Sequence, residues 1–226
     1  MKLVIDIDGV LADFPGAVVK LLNLLTGKNV LLLGDPVEWF FLENLGFKPD
    51  EIRAAALYQE QYPQWYTTVP PLPGALDAVK RLNRIVFLQH GVEVYFITAR
   101  AASGAKRATE AWLEGLGMRN PTVITAPKGE KGLIIAGLRP DVVVDDYPPN
   151  LEAPWLEGYT EARSYLVKHR YNEHAWETPG FIPVDGIGEM LAREFPTEQE
   201  GIGANRARVR QIGAAEQLLG PTNRAA

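Results

Sequence analysis

The chain has 226 residues, a formal net charge of −5 and a hydrophobic content of 46%, values that are typical of a water-soluble globular protein. It contains no cysteine, which excludes disulfide bonds, thiolate metal sites and a cysteine nucleophile. The negative charge weighs against a nucleic-acid partner, and the sequence has neither an apolar run of about 18 residues nor a signal-peptide pattern, so we expect a cytoplasmic protein without a membrane partner.

The N-terminal segment "VIDIDGVLADF" (residues 4–14) predicts a buried strand that ends in carboxylates. The apolar, β-branched run over residues 3–7 is typical of a strand, yet Asp6 and Asp8 lie at its end. Burial of an unpaired carboxylate is costly, so we expect a cation opposite these two side chains. Gly9 follows at once and allows the chain to turn.

A small helical cap is predicted over residues 15–71. Its first helix is expected over residues 17–25, with Asp13 as the N-terminal capping residue, and a second helical pattern covers residues 50–60. The cap is rich in aromatic side chains, which we interpret mainly as core rather than as platforms for a base. They are Trp39, Phe40, Tyr62, Trp65 and Tyr66.

Beyond the cap, apolar strands alternate with helical segments. Strands are predicted over residues 92–98, 121–125 and 141–144, and helices over residues 75–82, 104–116 and 131–138. This alternation predicts an α/β fold, a Rossmann-like parallel sheet with helices on both faces. The core would comprise residues 1–14 and 72–196, and residues 197–226 would form a flexible or peripheral tail.

Unusual polar residues follow the carboxyl ends of the predicted strands. They are Asp6 and Asp8, Thr98 and Arg100, Lys128 or Lys131, and Asp145 and Asp146. Because ligands bind beyond the carboxyl ends of parallel strands, we expect these residues to share one site. Carboxylates without cysteine suit Mg²⁺, and a threonine with a lysine at a helix start favours phosphate.

Such a site suggests a particular phosphate chemistry. A carboxylate can attack phosphorus and form an aspartyl-phosphate, while Mg²⁺ and a lysine offset the charge repulsion and stabilise the transition state. A second carboxyl two residues later can protonate the leaving alkoxide and then activate water. Asp6 and Asp8 have this spacing.

The ordered motifs "DIDGVLADF", "YFITAR", a helix-starting lysine and "DVVVDDY" resemble those of the haloacid dehalogenase superfamily of phosphohydrolases. The first motif, the helical insertion and "PLPGALDAV" are most similar to the 5′(3′)-deoxyribonucleotidase branch. The resemblance implies that Asp6 is the nucleophile, that Asp8 is the general acid and base, and that the helical insertion is a cap that closes over the substrate.

The resemblance also implies a set of binding residues. Phosphate and substrate would contact Thr98, Lys131 or Lys128, Gly9, Ala99 and Arg100. Mg²⁺ would be bound by Asp6, the Asp8 carbonyl and Asp145, with support from Asp146. Lys131 is favoured over Lys128 because a helix continues from it, and Arg100 stays open between a contact to phosphate or sugar and an exposed position.

The predicted function is a Mg²⁺-dependent phosphomonoesterase that acts on a nucleoside, or deoxynucleoside, 5′-monophosphate. The alternatives are a small-metabolite phosphatase, a phosphatase of nucleic-acid ends and a non-catalytic nucleotide-binding protein on the same scaffold. The oligomeric state is open, with a homodimer among the possibilities. The polar segment "HRYNEH" at residues 169–174 has no assigned mechanism, and its histidines show no metal-ligand spacing.

Overall fold

The computed structural model describes residues 1–100, 102–127, 129–159 and 161–196. The chain divides into two compact units, Met1–Glu189 and Met190–Ala226, and of the second the structure describes residues 190–196. The predicted tail over residues 197–226 lies outside the described residues.

A six-stranded sheet lies at the centre of the first unit. Its strands are β1 (Lys2–Ile5), β2 (Glu93–Thr98), β3 (Thr122–Thr125), β4 (Val142–Asp145), β5 (Arg163–Val167) and β6 (Phe181–Val184). The spatial order is β3-β2-β1-β4-β5-β6, and each neighbouring pair is parallel. The predicted α/β class with a parallel sheet is therefore confirmed.

Eight α-helices are found among the described residues. They are α1 (Phe14–Thr26), α2 (Phe41–Asn44), α3 (Pro49–Gln61), α4 (Ala75–Leu88), α5 (Ala105–Gly115), α6 (Lys131–Leu138), α7 (Pro148–Leu156) and α8 (Ile187–Glu194). Two 3₁₀ helices cover Pro63–Thr68 and Arg170–Ala175. Within the described ranges, none of these helices has the length and apolar character that a membrane crossing requires.

The two central strands are buried because both of their faces are covered. In β1, Leu3 and Ile5 are fully buried, and in β4 all of Val142–Asp145 is buried. Near-continuous apolar runs of this kind are typical of strands in parallel sheets. An apolar cluster joins the sheet to α6 and α7, and its fully buried members include Ile97, Val143, Leu166, Ile135 and Leu151.

Helices α1, α2 and α3 have an apolar cluster of their own. Val18 and Leu22 of α1 pack there with Phe47 and with Ala55 of α3. This cluster supports a separate cap, although the predicted boundaries at residues 15–71 remain a prediction.

The segment that leaves the cap is attached to α5. Tyr66 shares an apolar cluster with Ala105 and Ala108 of that helix. Trp112, one turn further along, donates its indole N–H to the Val69 carbonyl at 2.7 Å. These contacts fix the end of the cap segment against the core.

The prediction that the cap aromatics belong mainly to a core is only partly right. Tyr66 is buried, but Trp39, Phe40 and Tyr62 are 46%, 79% and 45% exposed. Both Trp39 and Phe40 directly precede the short helix α2. Trp39 instead lies against two tyrosine rings beside the site described below.

Most predicted elements are present, with shifted ends. The first helix begins at Phe14 rather than at residue 17, the helix predicted over residues 75–82 continues to Leu88, and the first strand ends at Ile5 rather than at residue 7. The predicted N-terminal capping residue of α1 is confirmed, because Asp13 Oδ1 accepts the Gly16 N–H at 3.0 Å. Gly27 ends the helix in a left-handed conformation.

We predict that Asp13→Ala lowers the free energy of unfolding by about 1 kcal/mol, because the first turn of α1 loses its capping acceptor. Asp13→Asn retains an acceptor and is the matched control. Urea unfolding of both variants measures the difference. Equal stability of Asp13→Ala and the parent chain would show that the hydrogen bond from Gly16 to Asp13 does not contribute to the free energy of unfolding.

Candidate active site

Three buried carboxylates meet at the carboxyl ends of two neighbouring strands. Asp6 directly follows β1, Asp145 ends β4, and Asp146 follows it. Because β1 and β4 pair in parallel, with the Asp6 N–H donating to the Val144 carbonyl at 2.9 Å, their ends come side by side. Each carboxylate offers an oxygen within 4.8 Å of the others. The predicted convergence of these residues is therefore observed.

Lys131 supplies the cation that the sequence analysis placed opposite Asp6. Its Nζ lies 2.7 Å from Asp6 Oδ1 and 2.7 Å from Asp145 Oδ2, and its side chain is buried. Burial lowers the pKa of the ammonium, but the charges of Asp145 and Asp6 together raise it above its ordinary value. The lysine is therefore held in its charged form. The competing Lys128 lies outside the described residues.

The cluster carries more negative than positive charge. Burial raises the pKa of Asp6 well above its usual value, although the Lys131 ammonium lowers it. Burial, followed by the charge of Asp145, raises the pKa of Asp146 to about 7. Among the described residues, three carboxylates stand against one buried ammonium, which leaves two negative charges when all are ionised. A divalent cation with a preference for oxygen ligands fits this donor set and this charge.

Asp145 is held by further donors that the sequence analysis did not identify. The Tyr147 N–H donates to its Oδ1 at 2.9 Å. Asn150 Nδ2 contacts Oδ1 at 3.2 Å and Oδ2 at 3.1 Å. Asn150 lies in the first turn of α7, five residues after Asp145. That short spacing was the feature of the sequence that could have identified it.

A tight turn follows Asp6 and needs glycine at position 9. The N–H groups of Leu11 and Ala12 both donate to the Ile7 carbonyl, and Gly9 adopts a φ of +81°. A Cβ atom on Gly9 would lie 2.2 Å from Asp146 Oδ2. The residue therefore lacks a side chain for two reasons, its left-handed backbone and the close approach of a carboxylate.

Asp8 lies at the edge of the cluster and pairs with Arg100. The guanidinium contacts the carboxylate through Nε at 3.0 Å and Nη2 at 2.6 Å. Arg100 is itself buried, donates from Nη1 to Thr109 at 3.2 Å and lies over the Tyr66 ring at 4.6 Å. The alternative that placed Arg100 at the surface is therefore wrong, whereas its contact with substrate remains a prediction.

Thr98 and Ala99 lie at the end of β2, next to Asp8. Thr98 is fully buried, and its hydroxyl lies 3.4 Å from Asp8 Oδ2 and 3.4 Å from the Arg100 N–H. Ala99 is exposed. The structure brings both residues to the site, and their roles in phosphate binding remain predictions.

The polar segment at residues 169–174, for which the sequence suggested no mechanism, lines the same site. Tyr171 donates its hydroxyl to Asp146 Oδ2 at 2.5 Å, and Asn172 Nδ2 donates to the Asp146 carbonyl at 2.7 Å. His169 Nε2 lies 2.7 Å from the Gly9 carbonyl. These residues follow β5, a strand that the sequence analysis did not identify, so their place at the site could not be deduced.

Comparison with known proteins assigns the family. The model of the family described as "5' nucleotidase, deoxy (Pyrimidine), cytosolic type C protein" matches residues 1–180. A protein of Staphylococcus epidermidis, provisionally named as a 5'(3')-deoxyribonucleotidase, is 28% identical over 181 residues, which cover 78% of this chain and 88% of that relative.

Solved structures share the fold at low sequence identity. A haloacid dehalogenase-like hydrolase from Streptococcus pneumoniae has a TM-score of 0.55 and 12% identity, over 85% of this chain and 97% of its own. A hydrolase of the same family from Deinococcus radiodurans, with bound phosphate and sodium, has a TM-score of 0.54 and 17% identity, over 85% of this chain and 93% of its own. The chain therefore belongs to this 5' nucleotidase family, has the haloacid dehalogenase-like fold and is a hydrolase of phosphoric monoesters.

Proposed function

We propose that the protein is a Mg²⁺-dependent phosphatase of nucleoside 5′-monophosphates, with deoxyribonucleotides as the preferred class, and that Asp6 forms an aspartyl-phosphate. The observation that carries the proposal is the buried Asp6 carboxylate, which shares the Lys131 ammonium with Asp145. The name of the matching family and the name given to the Staphylococcus epidermidis relative support the substrate class.

The metal would be held by the carboxylates of Asp6, Asp145 and Asp146, and the resemblance adds the Asp8 carbonyl. When bound, Mg²⁺ would offset the negative charge of the phosphate and stabilise the charge that develops on its oxygens. The Gly9 turn supports this assignment, since the absence of a Cβ atom lets the chain approach Asp146 closely.

Asp6 is oriented for attack by two contacts on the same oxygen. The Ile7 N–H donates to Oδ1 at 2.6 Å, and Lys131 contacts that oxygen at 2.7 Å. Oδ2 would then attack phosphorus, forming a new P–O bond while the ester P–O bond breaks. Thr98 and Lys131 would steady the phosphoryl oxygens during this transfer.

Asp8 would donate a proton to the leaving alkoxide and, in the second half of the reaction, accept a proton from the attacking water. Its contact with Arg100 fixes the carboxylate in place, and the guanidinium is in turn held by Thr109 and by the Tyr66 ring. Through Arg100, the proposed acid and base is linked to Thr109 of α5 and to Tyr66 of the 3₁₀ helix.

An exposed aromatic pair beside the carboxylates favours a nucleoside over a small sugar phosphate. The Trp39 and Tyr147 rings lie 4.8 Å apart, and the Trp39 ring meets that of Tyr171 edge-on at 5.1 Å. Trp39 and Tyr147 are both more than a third exposed, although large apolar rings are usually covered. A flat nucleobase could stack on this pair while its phosphate lies at Asp6.

We predict that phosphate release from p-nitrophenyl phosphate requires Mg²⁺, stops in EDTA and returns when Mg²⁺ is added. Asp6→Asn should lower kcat by on the order of a thousandfold, because the attacking oxygen is lost. Asp13→Asn is the control, since it leaves the site unchanged. Equal activity of the Asp6→Asn variant and the parent chain would exclude the aspartyl-phosphate mechanism.

Asp8→Asn tests the acid role by comparing two leaving groups. We expect kcat/KM to fall by about a hundredfold or more for a deoxynucleoside monophosphate. The fall should be much smaller for p-nitrophenyl phosphate, because p-nitrophenolate leaves without a proton. Thermal unfolding monitors the effect of removing the charged partner of Arg100. An equal fall for both substrates would contradict the assignment of Asp8 as the general acid.

The aromatic pair leads to a third prediction. Trp39→Ala should raise KM for deoxynucleoside monophosphates by about tenfold. In proteins that stack nucleic-acid bases on aromatic side chains, the loss of one such side chain weakens binding by roughly 1–3 kcal/mol. KM for glycerol phosphate should not change. Phe40→Ala, the neighbouring exposed ring, is the matched control. A screen in which sugar phosphates are hydrolysed faster than every nucleotide would favour a metabolite phosphatase instead.

A further inference from the structure

Residues 169–172, which we call the 169–172 segment, contact both chain segments that carry the carboxylate cluster, the turn after β1 and the end of β4. The segment begins two residues after β5 ends at Val167. On one side it contacts Asp146, and on the other it contacts the Gly9 carbonyl. It therefore joins the turn after β1 to the end of β4 from outside both strands.

Tyr171 sets the direction of the Asp146 carboxylate. Its hydroxyl donates to Oδ2, the same oxygen that faces Gly9. Burial and the charge of Asp146 raise the pKa of Tyr171 above its ordinary value, so the phenol stays protonated and donates. With Oδ2 held in this way, the hydroxyl of Tyr171 helps to set where Oδ1 of Asp146 lies.

Tyr171 is in turn held by the ring of His169. The two rings stack with centroids 4.8 Å apart and an angle of 7° between their planes. The Gly9 carbonyl can only accept a hydrogen bond, so His169 Nε2 carries a proton and donates to it at 2.7 Å. Nδ1 lies 2.9 Å from Asp35 Oδ1, which fixes the plane of the imidazole.

Asn172 fixes the backbone of the segment. Its Nδ2 donates to the Asp146 carbonyl at 2.7 Å and to the Val167 carbonyl at 2.8 Å. Its Oδ1 accepts the His169 N–H at 2.9 Å and the Trp176 indole N–H at 2.8 Å. The buried amide thus uses both donors and both acceptor positions, which leaves the segment little freedom.

We propose that Tyr171 is a positioning residue for the metal site, which orients the Asp146 carboxylate and is itself held by His169 and Asn172. The inference rests on the proposed function, because it assumes that Asp146 faces the metal. Removal of a residue that orients a metal ligand through a hydrogen bond commonly lowers metal affinity by roughly 10–100-fold.

The experiment is Tyr171→Phe, which removes one hydroxyl and leaves the stacked ring. Binding of Mn²⁺ is measured without substrate, from the electron paramagnetic resonance signal of the free ion. We expect affinity to fall by about tenfold. Tyr95→Phe is the matched control, since Tyr95 also donates its hydroxyl to a carboxylate, that of Glu93 at 2.7 Å, but Glu93 begins β2 and so lies at the opposite end of that strand from Thr98.

A double-mutant cycle distinguishes positioning from general stability. If Tyr171 acts through Asp146, Tyr171→Phe should have no further effect on Mn²⁺ affinity in an Asp146→Asn background. In the Tyr171→Phe variant with Asp146 intact, the Mg²⁺ concentration that gives half-maximal activity should rise. KM for the nucleotide at saturating Mg²⁺ should stay the same.

The outcomes separate the two proposals. Parent protein that binds no Mn²⁺ overturns the proposed metal site, and with it the inference. If the parent protein and Tyr171→Phe bind Mn²⁺ with the same affinity, the inference about Tyr171 is overturned and the proposed metal site is not. An equal loss in the Asp146→Asn background also overturns it, because Tyr171 would then act by another route. If Tyr171→Phe unfolds at the assay temperature, His169→Gln, which removes the stacked ring, must give the same loss of Mn²⁺ affinity.

Discussion

The site depends on an imbalance of charge that the parallel sheet creates. Two adjacent strands end at the same edge, and each delivers acidic residues there, so the buried Asp6, Asp145 and Asp146 come within a few ångströms of one another. Lys131 offsets only part of this charge, through contacts with two of the three acids. Carboxylates buried in this way are costly unless a cation joins them. The cost of burying these carboxylates therefore favours the binding of a divalent cation at the cluster.

The geometry around the cluster is fixed in part by the backbone. The turn after Asp6 returns two N–H groups to the Ile7 carbonyl, and Gly9 passes so close to Asp146 that no side chain fits between them. Asp8 is directed away from this turn towards Arg100. Two carboxylates only two residues apart thus receive different surroundings, one beside a lysine and two other acids, and one beside an arginine. Different surroundings are what allow chemically identical groups to take different roles within one site.

The sequence predicted those parts of the molecule in which local pattern and chemistry agree. The strand ends at Asp6, Thr98 and Asp145 could be located because an apolar run stops at a polar residue, and the start of α6 at Lys131 was predicted correctly. The strands β5 and β6 were missed, since "RSYLV" and "FIPV" are short and lie among prolines and polar residues. Without β5 the position of residues 169–172 could not be inferred. The burial of Arg100 was equally hidden, because its partners Asp8 and Tyr66 belong to distant segments of the sequence.

The loop between α1 and α2 contacts the same residues that hold the site together. Asp35, in the loop between α1 and α2, accepts the Arg170 N–H at 2.8 Å and contacts His169, while Trp39 lies against Tyr171 and Tyr147. His169 and Tyr171 in turn contact Gly9 and Asp146. A change in the position of this loop would therefore act on the Asp146 carboxylate through the stacked rings of His169 and Tyr171.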